Sequence, residues 1–211
     1  NLEDITQRAL ATLEKADYVA CEDTRQTLKL LTRYQLKKKL VSHYAYNEEL
    51  SSRKILSLLE EGAAVALVSD SGTPCLSDPG TQIVRLAREN GHQVVPIPGP
   101  SALTALLSVS GYGAKGTLFE GFLSPKKGRR KKRLRELLES GFGFVLYESP
   151  FRIVALLTDL ADLAPERKLV IGREMTKLHE EFFQGNAKEL LTGLQEKPTI
   201  KGEFSVFVAN G

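Results

Sequence analysis

Short apolar segments alternate with segments of helical periodicity along the first half of the chain, and this alternation limits the possible folds more than any other feature. The predicted strands are residues 18–21, 40–43, 63–68 and 93–97. The predicted helices are residues 5–13, 27–31, 47–59, 81–90 and 101–108. Strands joined through helices pair in parallel, and helices then cover both faces of the sheet. The sequence therefore predicts an α/β fold with a mostly parallel sheet.

The pattern changes after the glycine-rich segment 111–116, where strands become more frequent. The predicted strands there are residues 117–123, 144–147, 169–173, 181–184 and 204–208. The predicted helices are a basic helix that ends near residue 138 and two further helices at residues 151–160 and 188–194. Asn186 is predicted to cap the last of them. We predict two α/β lobes with mostly parallel or mixed sheets, residues 1–113 and 114–211.

The segment between these lobes contains Gly111-x-Gly113-x-x-Gly116, which matches the glycine pattern of dinucleotide-binding loops. That motif requires a strand before it and a helix after it, because the helix N-terminus binds the pyrophosphate. Here the predicted order is the reverse. The glycines are therefore interpreted as a hinge rather than as a dinucleotide site.

Two loops rich in glycine and proline follow predicted strands, VSDSGTPCLSDPG at residues 68–80 and PIPGPSA at residues 96–102. Ligands of open α/β sheets bind outside the carboxyl ends of the strands. Glycine lets the backbone approach a ligand, proline stiffens the loop, and backbone N–H groups and hydroxyls supply hydrogen bonds. The pair of loops predicts a small-molecule site, with simple turns as the alternative interpretation.

Positive charge is concentrated in one segment. Eight of the ten residues in KKGRRKKRLR, 126–135, are Lys or Arg, whereas the whole chain carries a net charge of only +3. Such a run on an exposed helix offers phosphates both point charges and guanidinium groups. The segment predicts an anionic partner, with a solvated surface as the alternative.

The two cysteines, Cys21 and Cys75, lie far apart and form no CxxC motif, which is typical of proteins in a reducing cytosol. No apolar run approaches the roughly 20 residues of a membrane span. The first residues lack the basic start and apolar core of a signal peptide. The sequence thus predicts a soluble cytoplasmic protein that has no membrane partner.

Several short motifs occur in order along nearly the whole chain. They are NLEDIT (1–6), CEDTR (21–25), SDSGTP (69–74), SDPG (77–80), PIPGPSAL (96–103), YESPFRI (147–153), REMTKLHE (173–180) and KGE (201–203). Together they resemble the tetrapyrrole methylase superfamily. Within it they are most similar to the branch that methylates the 2′-oxygen of a cytidine ribose in 16S rRNA.

The resemblance implies a two-lobe α/β enzyme, usually a homodimer, that binds S-adenosylmethionine in a cleft between the lobes. Its implied substrate is the decoding region of 16S rRNA in the small ribosomal subunit. Relatives have a further strand and a Gly/Pro-rich loop ahead of a segment like Asn1–Leu2. The resemblance therefore implies that this strand and loop of the N-terminal lobe are missing here.

Matching positions transfer the family's cofactor contacts to both lobes. The implied cofactor-binding residues are Ser71, Gly72, Thr73, Leu76, Ser101, Ala102, Tyr147, Glu148, Met175 and Glu203. The sulfonium charge already activates the methyl group, so methyl transfer needs no metal, and positioning the nucleophile in line is the main task. Asp70 and Asp78 lie beside glycine and proline and are interpreted as turn residues rather than as magnesium ligands.

A ribose hydroxyl becomes a good nucleophile when a base accepts its proton. The candidate catalytic residues act as bases, or as groups that orient phosphate or shift the pKa of the acidic residues. They are Glu22, Asp23, Arg25, Glu148, Glu174 and Lys177, with Arg173 as a further orienting group. The sequence does not choose among them, and a structural ion pair or helix cap is the alternative for each. His43, His92 and His179 are isolated and are interpreted as surface or structural residues.

The predicted RNA-binding residues are those of the basic run: Lys126, Lys127, Arg129, Arg130, Lys131, Lys132 and Arg133. Two alternatives to rRNA methylation stay open. One is a methyltransferase that acts on a tetrapyrrole or another small molecule, although a macrocycle needs only a few cations in a cleft. The other is an RNA-binding protein without catalysis, in which both Gly/Pro loops are purely structural.

Overall fold

The structure is a computed structural model that describes residues 1–113 and 116–210. Two compact units divide the chain, Asn1–Ser101 and Ala102–Gly211. The lobe boundary predicted at residue 113 lies further along the chain than the boundary between these two units. It is next to Ala114 and Lys115, which are outside the described residues. In both units strands and helices form the mixed α/β architecture that the sequence predicts.

The first unit is built around three short strands. Its elements are α1 (Gln7–Lys15), β1 (Tyr18–Cys21), α2 (Thr24–Arg33), β2 (Lys39–Ser42), α3 (Glu48–Glu60), β3 (Val65–Leu67) and α4 (Thr81–Glu89). The strand order is β2-β1-β3 and both pairs are parallel, with Tyr18 opposite Lys39 and Val65. Because the pairs are parallel, the carboxyl ends of all three strands lie at one edge of the sheet.

Apolar residues from both strands and helices form the core of this unit, with Ala20 and Val41 on the sheet and Ile55 and Ile83 on α3 and α4. The predicted strand at 63–68 is confirmed as β3, but it is half-buried rather than buried. The predicted strand at 93–97 is wrong, since residues 92–101 form neither helix nor strand. Prolines at 96, 98 and 100 remove backbone donors that a sheet would require.

The second unit has a larger, mixed sheet. Its elements are α5 (Ala102–Val109), β4 (Leu118–Phe122), α6 (Lys127–Glu139), β5 (Phe144–Glu148), α7 (Ile153–Leu163), β6 (Lys168–Arg173), β7 (Glu181–Asn186), α8 (Ala187–Gln195) and β8 (Phe204–Val208). The strand order is β4-β5-β8-β6-β7. Among the described residues, β4 and β5 form the one parallel pair of neighbouring strands, whereas the pairs β5–β8, β8–β6 and β6–β7 are antiparallel.

Strand β8 lies in the middle of this sheet, and all five of its residues are buried. Helices α6, α7 and α8 supply apolar residues to the same core, among them Leu134, Leu156 and Leu190. The predicted cap of α8 is confirmed: Asn186 accepts a hydrogen bond from the Glu189 N–H, and the Glu189 carboxylate accepts one from the Asn186 N–H. Within residues 1–113 and 116–210, no helix combines the length and apolar character needed to cross a membrane.

Candidate active site and nucleic-acid interface

The loop 69–80 follows β3 at the carboxyl edge of the first sheet. Gly80 holds it against the strand, with a φ of +129°, and a Cβ there would lie 2.8 Å from Leu67 Cδ2 and 2.9 Å from Cys75 Sγ. Only glycine fits such a position without a shift of its neighbours. The Glu48 carboxylate accepts hydrogen bonds from the N–H groups of Gly80 and Gln82 and thereby caps α4.

The second Gly/Pro-rich loop lies beside the first. The Thr73 hydroxyl donates a hydrogen bond to the Pro100 carbonyl at 3.4 Å. Ser71 and Gly72 are exposed, and their backbone N–H groups have no acceptor among the described residues. Ser101 is the last residue of the first unit, and it is itself engaged in an interaction. The structure therefore brings together the sequence-predicted positions in the first unit, although the second loop does not follow a strand.

Acidic residues gather where β1 and β3 end. Glu22 and Asp23 follow β1, and Asp70 follows β3 on the neighbouring strand. The Asp70 carboxylate accepts a hydrogen bond from the Asp23 N–H at 3.2 Å, so Asp70 links the two loops. Among the described residues, no three histidine, cysteine, aspartate or glutamate side chains form a group suited to a metal ion.

These carboxylates have opposite electrostatic properties. The Arg25 guanidinium donates to both oxygens of Asp23, at 3.0 and 2.7 Å, and these bonds together with the Arg25 N–H lower the pKa of Asp23 to about 2. Burial raises the pKa of Glu22, and the charges of Asp70 and Asp23 raise it further. Glu22 makes no hydrogen bond or ion pair within the described part of the chain. A carboxylate with a raised pKa and free oxygens is the better proton acceptor.

Glu148 is placed differently at the end of β5. It is 2% exposed, accepts a hydrogen bond from the Ser149 N–H, and pairs with Arg152 at 2.7 Å. Arg152 also donates to the Leu123 carbonyl. The adjacent Tyr147 hydroxyl accepts a hydrogen bond from the Leu103 N–H, which fixes the chain beside Ala102. The geometry of Glu148 is thus that of a structural ion pair.

Glu174, Lys177 and Glu203 form one ion-pair network. The Lys177 ammonium donates to both carboxylates at 2.9 Å, and Glu174 also accepts from the Glu203 N–H. Burial alone raises the pKa of Glu174, but the bonds from Lys177 and Glu203 outweigh it and lower the pKa. Met175 packs against Gly172 of β6. The structure therefore gathers these sequence-predicted residues, with Glu174 held in its ionised form.

The basic run forms the first turns of α6 and divides into two groups. Arg130 is 6% exposed and pairs with Asp159 of α7 at 2.7 Å. Lys131 pairs with Asp162 and Arg133 with Glu120, so both also form intramolecular ion pairs. The remaining predicted RNA-binding residues are exposed and form no ion pair within the described residues: Lys126, Lys127, Arg129 and Lys132.

Two residues of this site were missed in the sequence. Arg152 is the N-cap of α7 and Glu148 ends β5, so no helical spacing predicts their ion pair. Asp159 is a carboxylate on a mostly apolar helical segment, which predicts a buried cationic partner. His43 was interpreted as surface or structural and is 2% exposed, bonded through Nδ1 to the Ser51 hydroxyl.

This chain is similar to known proteins over nearly its whole length. A ribosomal RNA small subunit methyltransferase I from Borrelia garinii subsp. bavariensis is 44% identical over 210 residues, which cover 99% of this chain and 94% of that protein. One from Thermotoga maritima is 43% identical and covers 99% of this chain and 93% of that protein. The crystal structure of the methyltransferase CobJ has a TM-score of 0.71 at 18% identity, covers 99% of this chain and 89% of that one, and shows the shared fold.

The family profile of the tetrapyrrole (corrin/porphyrin) methylases matches residues 1–191. That range includes the loop 69–80, the carboxylates that follow β1, the whole of α6 and the Glu174–Lys177 pair. The resemblance inferred from the short motifs is thereby confirmed, and the chain belongs to the tetrapyrrole (corrin/porphyrin) methylase family.

Proposed function

We propose that this chain is an S-adenosylmethionine-dependent methyltransferase that modifies 16S rRNA of the small ribosomal subunit, at the 2′-oxygen of a cytidine ribose. The observation that carries the proposal is the similarity, over nearly the full chain, to proteins named ribosomal RNA small subunit methyltransferase I. We further propose that it acts in the cytoplasm and as a homodimer, as the family resemblance implies.

The first unit supports the proposed cofactor. S-adenosylmethionine carries an adenosine and an amino-acid end, both of which need directional hydrogen bonds. The N–H groups of Ser71 and Gly72 have no acceptor among the described residues, and apart from its chain neighbours no described residue has an atom within 4 Å of where a Cβ of Gly72 would lie. These residues fit the cofactor, and Thr73, Leu76 and Ser101 belong to the same proposed contact set. The cofactor supplies a methyl group already activated by its sulfonium charge.

The geometry favours Glu22 over the other candidate bases. Asp23, Glu148 and Glu174 each form an ion pair with a cationic side chain, and these contacts lower the pKa of Asp23 and of Glu174. Glu22 forms no ion pair with any described residue and has a raised pKa. In the proposed reaction Glu22 accepts the proton of the ribose hydroxyl while the oxygen bonds to the methyl carbon and the carbon–sulfur bond breaks. The products are a 2′-O-methyl ribose and S-adenosylhomocysteine.

Four exposed cations on α6 support the proposed RNA substrate. Lys126, Lys127, Arg129 and Lys132 carry charges that no described carboxylate neutralises by an ion pair. Exposed charges outside ion pairs bind phosphates and release condensed counterions, although the charge of Lys127 also acts on Asp162. Arg130, Lys131 and Arg133 were predicted to bind RNA as well, but their charges already serve internal ion pairs. We therefore assign RNA binding to the free group.

A transfer assay distinguishes the candidate functions. The chain is incubated with methyl-labelled S-adenosylmethionine and either small ribosomal subunits lacking their native modification or a mixture of carboxylated tetrapyrroles. Label in the RNA alone is expected. Label in the tetrapyrroles alone would favour the small-molecule alternative, and RNA binding without any transfer would favour a non-catalytic protein.

A further inference from the structure

Phe151 is 94% exposed, although it lies beside a buried core. It directly precedes Arg152, the N-cap of α7. An apolar residue at that position usually packs against the fourth residue of the helix, which here is Leu156. Leu156 is fully buried without it. The local role that would normally explain an aromatic side chain at this position therefore does not apply.

The backbone that carries Phe151 is fixed on both sides. The N–H groups of Arg152 and Ile153 both donate to the Ser149 carbonyl at 3.1 Å. The Arg152 guanidinium pairs with buried Glu148 and donates to the Leu123 carbonyl at 3.2 Å. Ile153 is fully buried. Phe151 is thus an exposed aromatic ring on a rigid turn, which loses little conformational entropy when it binds a ligand.

The surroundings of this turn favour a nucleic acid. Strands β4 and β5 are parallel, so Phe122 and the turn after β5 lie at the same sheet edge. Phe122 is 54% exposed and contacts the Tyr147 ring edge-on, with ring centroids 5.8 Å apart. Lys126 and Lys127 follow β4 by a few residues, and both are exposed. Aromatic rings beside exposed cations are the composition of a single-strand binding surface.

We propose that Phe151 stacks on an unpaired base of the RNA substrate, while Lys126 and Lys127 bind the flanking phosphates. This inference rests on the proposed rRNA substrate, and it identifies Phe151 as the residue that contacts the unstacked base. Stacking on an aromatic ring requires a splayed base, so the surface favours single-stranded RNA over a duplex. The one carboxylate on this turn, Glu148, is buried and paired with Arg152, so it does not repel phosphate.

The test measures the affinity of the full chain for a short single-stranded oligonucleotide from the 16S rRNA decoding region at several salt concentrations. Phe151→Ala should weaken binding roughly five- to hundredfold with the salt slope unchanged, because stacking involves no counterions. Phe151→Trp should keep the affinity. Tyr46→Ala, which removes an aromatic ring that is 98% exposed in the other unit, is the matched control and should bind like the unaltered chain.

Each other outcome has a definite meaning. Phe151→Ala binding within twofold of the unaltered chain, or Phe151→Trp binding as weakly as the Ala variant, would overturn the stacking role. A similar loss in Tyr46→Ala would also overturn it. If the unaltered chain binds and methylates the RNA, any of these results leaves the proposed function intact. If the unaltered chain methylates small ribosomal subunits but does not bind the oligonucleotide, this inference fails and the proposed function stands; if it does neither, both fail.

Discussion

At the scale of single residues, the structure separates carboxylates that the sequence treats as equivalent. Glu22 and Asp23 are neighbours in the chain, yet Asp23 is bonded to Arg25, whereas Glu22 has no such partner in the part of the chain that the structure describes. The difference arises because Asp23 is the N-cap of α2 and faces the first turn of that helix. Chain position alone cannot distinguish them, since the distinction depends on side-chain contacts.

We expect Glu22→Gln to lower the rate of methyl transfer by roughly 10²- to 10⁴-fold, because the ribose hydroxyl then lacks a proton acceptor. In the unaltered chain the rate should rise with pH as Glu22 ionises, and its raised pKa places that rise above the range of an ordinary glutamate. Single-turnover transfer measured from pH 5 to 8 checks both statements. An unchanged rate in Glu22→Gln would remove Glu22 from the mechanism.

His43 provides a test of stability rather than of catalysis. His43 Nδ1 forms a hydrogen bond with the Ser51 hydroxyl, and the buried Nε2 has no partner within the described residues. Burial lowers the pKa of His43. A pKa below the unfolded value means that stability is complete above the unfolded value of about 6.5 and falls as the pH decreases toward the folded value.

The free energy of unfolding of the first unit should therefore decrease between pH 8 and pH 5.5. His43→Gln cannot bind the proton, so its free energy of unfolding should decrease less over the same interval. Urea denaturation of both proteins at the two pH values measures the difference. An equal decrease in the two proteins would show that His43 does not contribute to it.

At the scale of elements, helix α6 shows how a charge run combines two roles. Every third or fourth position faces the core of the second unit, where Arg130 lies with Leu134 and Leu137. The sequence correctly predicts a helix here, because glycine and basic residues lead into an amphipathic segment. The sequence does not reveal which cations are buried, because burial of Arg130 depends on its contact with Asp159 of α7, 29 residues further along the chain.

Arg130→Ala and Lys132→Ala should differ strongly in their effect on stability, although each removes one charge. Arg130→Ala leaves Asp159 buried with only Lys131 nearby, at 3.5 Å, and should lower the free energy of unfolding by about 3–5 kcal/mol. Lys132→Ala should change it by no more than about 0.5 kcal/mol. Thermal or urea denaturation measures both.

The same pair of variants separates RNA binding from stability. Lys132→Ala should reduce the slope of log affinity against log salt by about 0.7 for single-stranded RNA, which corresponds to one lost phosphate contact. Removing Lys126, Lys127 and Arg129 as well should reduce it by about 3 in total. A slope that stays unchanged in the fourfold variant would exclude α6 from RNA binding.

At the scale of the whole molecule, the sequence predicts the class of fold better than it predicts the order of strands. Alternating periodicity correctly indicates α/β architecture, because it depends only on local burial. Placing β8 between β5 and β6 requires pairing over long stretches of chain, which no local pattern encodes. The segment 93–97 failed as a strand for a related reason, since apolar residues alone do not supply a pairing partner.

The residues of the candidate site also differ in whether they can be predicted from the sequence. The loop 69–80 and the neighbouring carboxylates were found from turn composition and strand ends. The short motifs added the residues of the second unit through the family resemblance. The exposed ring of Phe151 and the buried Arg130 became apparent only from accessibility, because both lie in motifs whose composition suggested another role.

The most direct test of the central claim is mass spectrometry of the nucleosides released from 16S rRNA after reaction with this chain and S-adenosylmethionine. We expect 2′-O-methylcytidine, formed by the unaltered chain and strongly reduced with Glu22→Gln. Methylation on a base, or RNA that gains no methyl group while the cofactor is consumed elsewhere, would contradict the proposed function.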